Sequence, residues 1–351
     1  MASGEVKIED GQPSATSPLA ILHSHFHIGP VAVEFPAGQA ALSGYSDWPM
    51  RVIARRLGAA YTVGEVLLDQ FVLSVSKGRK MKRFIKVTDE DRPCGVQLMG
   101  SRPEELCEAA RKVAAVGFDV IDLNFACPVR KVLSKCRGGH LLGKPELALE
   151  IVARVREAIP AHVPLTLKMR RGTDDSPSAR DSFYAIFDGA FRLGVAAIAV
   201  HPRTVAQKYE GRASWEFLAE LKRHAGPRTV LGSGDLMSAQ DCLDMLARTG
   251  VDAVLVARGA IGNPWIFRQV RAVAAGRPLP PVPGIGEQRE VLAEHFRLAE
   301  EVYGPRHVGG VMGKFGIKYS RLHPQAERVR DAFAAAHGRQ GWWNVLDVWY
   351  K

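Results

Sequence analysis

The chain has 351 residues, 46% of them hydrophobic and 24% charged, which is the composition of a globular protein with one large domain and a smaller one. No apolar stretch reaches the roughly 18 residues that a membrane span needs, and the amino terminus has no cationic start followed by an apolar core. We therefore expect a soluble cytoplasmic protein with no membrane attachment. A net charge of +10 favours an anionic partner, which includes nucleic acid but is not restricted to it.

The chain begins with a polar segment rich in Gly, Pro and Ser, and residues 1–22 are predicted to be a disordered tail. In the stretch HSHFHIGPV that follows, His23, His25 and His27 alternate. Three histidines on one strand face suit a metal ion, but no carboxylate or cysteine accompanies them. A plain β-hairpin is therefore the favoured interpretation, and no metal site is predicted.

Between Gln39 and Phe267 short apolar runs alternate with longer amphipathic ones, which is typical of repeated strand-helix units and a parallel sheet. The predicted strands are QAALS, AAYTV, CGVQLM, VIDLNF, PLTLKM, AAIAV, TVLGS and DAVLVA. Helical patterns such as PEELCEAARKVAAVG and PELALEIVARVREAI lie between most of them. Eight such units exceed the usual size of a doubly wound sheet, so the predicted fold is α/β, a (β/α)8 TIM barrel over residues 23–275.

A Pro/Gly-rich linker, PLPPVPGIG, follows the barrel, and residues 285–351 then show helical periodicity. We predict a separate all-helical domain there, with an RNA-binding role and few contacts across the linker. The aromatic terminus WWNVLDVWY is expected to pack on its own domain rather than to stack on bases.

Catalytic residues of such a barrel lie where the strands end, so the polar residues that follow each strand are the functional candidates. Amide, cationic and imidazole groups at successive strand ends are what a planar, hydrogen-bonding, anionic cofactor requires. In chain order they are Ser43 with Gly44, Glu65, Gln97, Asn124 with Cys127, Lys168 with Arg170, His201 with Arg203, Ser233 with Gly234 and Asp235, and Arg258 with Gly259.

Two glycine turns, GSGD after the seventh strand and ARGAIGNPW after the eighth, occupy the usual phosphate site of this fold. Glycines let backbone N–H groups approach a phosphate, and a short helix is expected to begin near Gly259 and to add its positive end. Lys168 follows an apolar strand and suits the stabilisation of negative charge on a reduced flavin ring. The alternative for Lys168 is a lysine paired with a carboxylate.

Cys127 directly follows the run VIDLNFA, where Pro128 prevents both helix continuation and central strand pairing. Its thiol is therefore expected at the carboxyl end of a strand, beside Asn124. The other cysteines are scattered and form no CxxC pair, so neither a disulfide framework nor a zinc ribbon is predicted. Cys136 lies in the loop SKCRGGH, and we expect it to be inert.

Several motifs in register resemble the tRNA-dihydrouridine synthases, from about residue 28 to 330: LNFACPVRKV followed by GGHLL, LTLKMRRG, HPRTVAQKYEGRASW, GSGDLMSAQDCLDML and ARGAIGNPWIF. The bacterial branch with a long carboxyl-terminal helical domain is the most similar, and RHVGGVMGKF resembles the start of its RNA-facing segment. The resemblance implies an enzyme with flavin mononucleotide (FMN) that takes a hydride from NADPH or NADH and reduces uridine in tRNA to 5,6-dihydrouridine. A monomer is expected.

By the same resemblance, Cys127 is the acid that protonates C5 of the uracil ring. The expected cofactor-binding residues are Ala41, Leu42, Ser43, Gln97, Asn124, Lys168, His201, Ser233, Gly234, Asp235, Ala257 and Arg258. The residues expected to face the RNA are Arg170, Arg203, Gln207 and Tyr209.

Some positions depart from the family pattern: LSG, FACP, HPRT and GSGD replace Met-Ala-Gly, Gly-Cys-Pro, His-Gly-Arg-Thr and Gly-Asn-Gly-Asp. No titrating group is lost, but Ala126 and Pro202 change the backbone freedom beside the site. Reduction of a different uridine, or of another RNA, therefore stays open, as does a flavin-dependent barrel reductase of a small molecule. A non-catalytic RNA chaperone is disfavoured because Cys127, Lys168 and His201 are all present.

Overall fold

The computed structural model describes residues 25–75 and 84–351, so the predicted tail and His23 lie outside the described residues. The described part begins with the predicted hairpin, in which β1 (Phe26–Ile28) pairs antiparallel with β2 (Val31–Val33). His25 and His27 are exposed there.

The hairpin covers the amino-terminal end of the barrel. Gly29, at its turn, lies against Pro164 and Ala196, the residues directly before two of the barrel strands. The opposite, carboxyl end of the strands is therefore the open end of the barrel.

Eight parallel strands close into a barrel, which confirms the predicted fold. They are β3 (Ala37–Gln39), β4 (Thr62–Leu68), β5 (Cys94–Met99), β6 (Val120–Phe125), β7 (Leu165–Arg170), β8 (Ala197–His201), β9 (Thr229–Gly232) and β10 (Ala253–Val256). Their residues are almost all buried because one face points into the barrel and the other lies under the helices.

The barrel helices follow the strands in order. They are α1 (Trp48–Arg56), α2 (Asp69–Ser74), α3 (Pro103–Ala114), α4 (Arg130–Leu133), α5 (Pro145–Ala158), α6 (Pro177–Arg192), α7 (Trp215–Ala225), α8 (Ala239–Thr249) and α9 (Ile266–Ala274). In the described part of the chain, no helix combines the length and the apolar character that crossing a membrane requires.

Three local predictions were wrong. The first barrel strand ends at Gln39, so Ala41, Leu42 and Ser43 lie in the loop beyond it, and the second strand runs to Leu68, so Glu65 is inside the strand. The chain after the eighth strand forms a single 3-10 turn, Arg258–Ala260, and α9 begins only at Ile266. In the described structure no α-helix therefore begins beside Gly259 at the predicted phosphate site.

The carboxyl-terminal part consists of α10 (Ile285–Tyr303), α11 (Val308–Tyr319), α12 (Ala326–Ala335) and α13 (Gly338–Trp349). The expected packing of the aromatic terminus is confirmed. Trp342 is buried against Phe296, with ring centroids 4.5 Å apart, and its indole N–H donates to the carbonyl of Met312 at 3.1 Å.

The expectation of few contacts across the linker is wrong. Tyr303 in α10 donates its hydroxyl to Asp47 Oδ2 at 2.6 Å inside the protein. Lys314 in α11 donates to the carbonyl of Gly44, and Arg321 donates to the carbonyl of Gly259 at 2.8 Å. The helical part thus packs directly on two loops at the open end of the barrel.

Candidate functional site

A cavity of about 360 Å³ opens at the carboxyl ends of the barrel strands and extends into the barrel. All residues predicted to bind the cofactor line it: Ala41, Leu42, Ser43, Gln97, Asn124, Lys168, His201, Ser233, Gly234, Asp235, Ala257 and Arg258. Cys127, Arg170 and Tyr209 also line it, whereas Arg203 and Gln207 do not. These side chains lie together because the parallel strands of a barrel all end on the same side.

A chain of hydrogen bonds runs along one wall of the cavity, across β5 and β6. Asn124 Oδ1 accepts from the backbone N–H groups of Ala126 and Cys127, each at 3.0 Å. Asn124 Nδ2 donates to Gln97 Oε1, and Gln97 Nε2 donates to Asp122 Oδ2, both at 2.6 Å. An amide nitrogen carries two N–H groups, and the second one of Gln97 and of Asn124 donates to no described residue.

Lys168 lies beside Asn124, which is its register partner across the strands β6 and β7, and both residues line the cavity. Its ammonium group donates to Ser233 Oγ at 3.0 Å. Burial lowers the pKa of Lys168 to about 7, with a further lowering by Arg170 that Asp122 opposes. An anionic ligand would favour the charged form of this lysine and raise the pKa again.

His201 is held as a neutral imidazole. Burial lowers the pKa of His201 to about 2, and the cations Lys168, Arg170, Arg203 and Arg258 add to this lowering. Nη1 of Arg203 lies 3.1 Å from His201 Nε2. Since a guanidinium can only donate, Nε2 accepts and the ring proton is on Nδ1.

A glycine cradle stands where a phosphate was predicted. Gly234 has a φ of +113°, and a Cβ there would lie 2.9 Å from Cδ2 of His201. A Cβ at Gly259 would overlap the carbonyl oxygen of Leu236. The N–H groups of Gly234 and Asp235 donate to no other described residue. Arg258, half exposed, lies at the edge of the cavity, 3.6 Å from Asp235.

Cys127 is tightly held through its backbone and partly exposed at its side chain. Its carbonyl accepts from the N–H of Gly139 at 3.0 Å, and a Cβ at Gly138 would lie 2.9 Å from that of Cys127. Cys136 is exposed with a φ of +56°, and it does not line the cavity. The remaining cysteines are buried.

The residues of the loop after β8 differ in their exposure and in their contacts. Tyr209 is 54% exposed, and the guanidinium carbons of Arg170 and Arg258 lie 5.2 and 5.4 Å from the centre of its ring. Arg203 is only 2% exposed and donates to both carboxylate oxygens of Asp235, at 2.9 and 2.7 Å. Gln207 Oε1 accepts from the N–H of Thr204 at 2.9 Å.

The RNA-facing role of these four residues stays a prediction, but their exposure differs. Arg203 holds the loop through Asp235, and Gln207 holds it through its Oε1, which accepts from Thr204 and Arg171. Arg170 is 1% exposed and donates to the carbonyls of Ala126 and Thr204, so only Tyr209 presents a large free surface. The residue type alone does not show which of these arginines is buried, because burial depends on tertiary contacts.

The sequence candidates missed Asp122, Thr166 and Tyr61, which line the inner part of the cavity. Asp122 accepts from Thr166 Oγ1 at 2.6 Å in addition to Gln97. The alternation of side chains along a strand is the sequence signal that would have identified Asp122. Asp122 stands two residues before Asn124 and therefore points to the same face.

The chain resembles known proteins in sequence over most of its length. The family model described as dihydrouridine synthase (Dus) matches residues 39–348. The chain is 34% identical over 327 residues to the tRNA-dihydrouridine synthase B of Pseudomonas aeruginosa, covering 88% of this chain and 95% of that relative. It is also 34% identical over 284 residues to a probable tRNA-dihydrouridine synthase of Mycobacterium tuberculosis, covering 79% and 72% of the two chains.

Solved structures agree on the fold. Morphinone reductase superposes with a TM-score of 0.52 and 14% identity, over 77% of this chain and 92% of that one. Histamine dehydrogenase from Rhizobium sp. 4-9 gives a TM-score of 0.56 at 16% identity, over 80% of this chain and 51% of that one. The match of the family model and the identity to the curated relatives show that the chain belongs to the dihydrouridine synthase family.

Proposed function

We propose that this protein reduces uridine in tRNA to 5,6-dihydrouridine, with FMN held in the barrel cavity and NADPH or NADH as the reductant. Bound FMN would supply the transfer of a hydride from the nicotinamide to C6 of the uracil ring. The observation that carries the proposal is the shared cavity, which Lys168, Gly234 and Cys127 line together.

The residues of the cavity fit a flavin phosphate. Gly234 and Asp235 line the cavity with backbone N–H groups that donate to no other described residue, and Arg258 adds a cation at the edge; both suit a phosphate. Lys168 would hold the electron-rich part of the ring, and the free N–H groups of Gln97 and Asn124 suit a carbonyl edge. Neutral His201 would offer its Nδ1–H and no charge.

Cys127 would supply the proton that completes the reduction. When a hydride is added to C6, the C4 carbonyl and C5 take up negative charge, and the Cys127 S–H bond breaks as the new C5–H bond forms. The thiolate that remains is reprotonated from solvent, so the protein ends unchanged. Holding the backbone of Cys127 through Asn124 and Gly139 keeps the thiol in one place for this transfer.

RNA binding is supported by the position of α11. Lys314 and Arg321 reach the loops at Gly44 and Gly259, which border the cavity, and Lys318 is exposed on the same segment. A net charge of +10 suits a polyanion whose base enters such a cavity. A small-molecule reductase has no need of a basic helical part at the mouth of its site.

The test has two parts. The purified full chain should carry FMN, seen as a yellow protein that releases one flavin per chain on denaturation; a colourless protein that does not take up FMN would overturn the proposal. Mass-spectrometric mapping of dihydrouridine in tRNA and ribosomal RNA from a strain lacking the gene should then show loss at one or more tRNA positions. Loss confined to ribosomal RNA would assign the same chemistry to another RNA.

A further inference from the structure

The direction of every hydrogen bond in the chain from Cys127 to Asp122 is determined. The N–H groups of Ala126 and Cys127 can only donate, so the atom of Asn124 that faces them is the oxygen. Its nitrogen then faces Gln97, whose oxygen must accept, and the nitrogen of Gln97 must donate to residue 122. The chain therefore requires an acceptor at position 122.

Asp122 meets this requirement from inside the barrel. It is 5% exposed, and its second oxygen accepts from Thr166 Oγ1 at 2.6 Å, so both oxygens face donors. Burial raises the pKa of Asp122, while the hydrogen bonds from Gln97 and Thr166 and the charge of Lys168 lower it. A carboxylate buried in a barrel core is costly for stability, and an apolar side chain would serve the packing better.

We propose that Asp122 is the positioning residue of this site. Through Gln97 it orients the one amide N–H left for the cofactor, and through Asn124 it holds the backbone of Cys127. The first half of this inference rests on the proposed function, because it concerns the flavin. The claim that Asp122 holds the backbone of Cys127 does not rest on it, because it concerns only the hydrogen bonds of the protein.

Without an acceptor at 122, the amide of Gln97 is free to turn over. Its oxygen would then face the cavity, where its nitrogen stood, and its nitrogen would face Nδ2 of Asn124, donor against donor. Asn124 would lose the one side-chain partner it has among the described residues, and its hold on the N–H groups of Ala126 and Cys127 would weaken. A substitution of Asp122 would thus change both the orientation of the Gln97 amide toward the cofactor and the hold on the backbone of Cys127.

The first experiment needs no flavin. Hydrogen–deuterium exchange of the Ala126 and Cys127 amides is measured in the flavin-free full chain for wild type, Asp122→Ala, Asp122→Asn and Thr166→Val. Asp122→Ala should speed exchange at both amides by about tenfold or more, the worth of one hydrogen bond to a charged group. Thr166→Val is the matched control, since it removes the other donor to Asp122 and leaves Gln97 its acceptor.

Asp122→Asn distinguishes orientation from charge. Its amide oxygen can still accept from Gln97, while its nitrogen donates to Thr166 Oγ1, so exchange should return close to the wild-type rate. A merely structural role of the buried carboxylate predicts instead that Asp122→Asn behaves like Asp122→Ala. If Asp122→Ala does not fold, Gln97→Met tests the same link, because it removes the acceptor of Asn124 and must speed exchange at the same two amides.

The second experiment uses FMN affinity in a double-mutant cycle. Asp122→Ala should weaken FMN binding by about tenfold in the wild-type background and have little effect in Gln97→Met, because the amide through which Asp122 acts is gone. An equal loss in both backgrounds, or unchanged amide exchange in Asp122→Ala, overturns the inference. A wild-type chain that binds no FMN overturns the proposed function instead, and the exchange experiment still decides whether Asp122 holds Cys127.

Discussion

Arg203 donates through Nη1 to Nε2 of His201 across 3.1 Å, and the same guanidinium binds both carboxylate oxygens of Asp235. This contact determines that the proton of His201 is on Nδ1. Since burial and nearby cations lower the pKa of His201 to about 2, the ring should stay neutral over the whole physiological range.

The tautomer of His201 can be measured directly. Nitrogen-15 NMR of the imidazole should show a protonated Nδ1 and an unprotonated Nε2 at all values from about pH 5 to 8, with the signal assigned by its loss in His201→Asn. Arg203→Lys, which removes the fork of donors, should allow a mixture of tautomers. Titration of the wild-type ring within that interval would contradict the assignment.

Lys168 predicts a pH dependence of flavin binding. The pKa of Lys168 is about 7 in the flavin-free chain, so the ammonium group is charged below this pH and neutral above it. If the anionic flavin binds the charged form, its dissociation constant should rise with pH by up to about tenfold per unit above that value. Fluorescence titration with FMN from about pH 8 to 9, roughly two units or more above the second pKa of the phosphate, measures this slope. Lys168→Met should bind more weakly and show no slope; the same slope in both proteins would contradict the role of Lys168.

Cys127→Ala should separate the two half-reactions. Reduction of bound FMN by NADPH should keep its rate because that step uses no thiol, while reduction of tRNA uridine should slow by about 10²–10⁴-fold, the usual worth of a general acid. Stopped-flow absorbance of the flavin follows both steps. Cys136→Ala is the matched control, since Cys136 is exposed and outside the cavity, and it should react nearly like wild type. A dispensable Cys127 with an essential Cys136 would reverse the assignment.

Arg258 should discriminate between flavins with and without a phosphate. Arg258→Ala should weaken FMN binding by about tenfold and leave riboflavin binding unchanged, because only FMN carries the group that the guanidinium would contact. Arg248→Ala is a suitable control, since Arg248 is an exposed arginine of α8 that does not line the cavity. Equal losses for both flavins would place the phosphate elsewhere.

The contact between Tyr303 and Asp47 predicts that the helical part supports the barrel. Tyr303→Phe removes a buried hydroxyl that donates at 2.6 Å, so the free energy of unfolding should fall by about 1–3 kcal/mol. Tyr350→Phe is the control, because the Tyr350 hydroxyl is buried without a partner among the described residues, and its loss should cost little. Both are measured by urea unfolding. Equal effects would show that the bond across the linker contributes nothing.

Deleting residues 285–351 should be harmful for the same reason. Trp265 in the barrel donates to Glu287 at 2.8 Å and packs edge-on against Tyr319, so the truncated chain would expose a buried indole. We expect it to aggregate or to unfold at a lower temperature than the full chain, measured by differential scanning calorimetry. If the truncated barrel had unchanged thermal stability, the barrel would fold independently of the helical part, as the composition of the linker suggested.

The sequence by itself determined the barrel and many of the residues at the strand ends that line its cavity. Alternating strand and helix patterns depend on neighbours within one element, and parallel strands bring Gln97, Asn124 and Lys168 to one end whatever the details of packing. Only the tertiary structure decided that Arg203 is buried while Arg258 lies at the edge, and that Asp122 anchors the amides. It also decided that Gly316, within the helix Val308–Tyr319, lies against the ring of Phe333, where no larger residue fits. The physical reason is common to these cases: burial, a bond partner and the room for a Cβ are set by residues far away in the chain, which local sequence patterns do not contain.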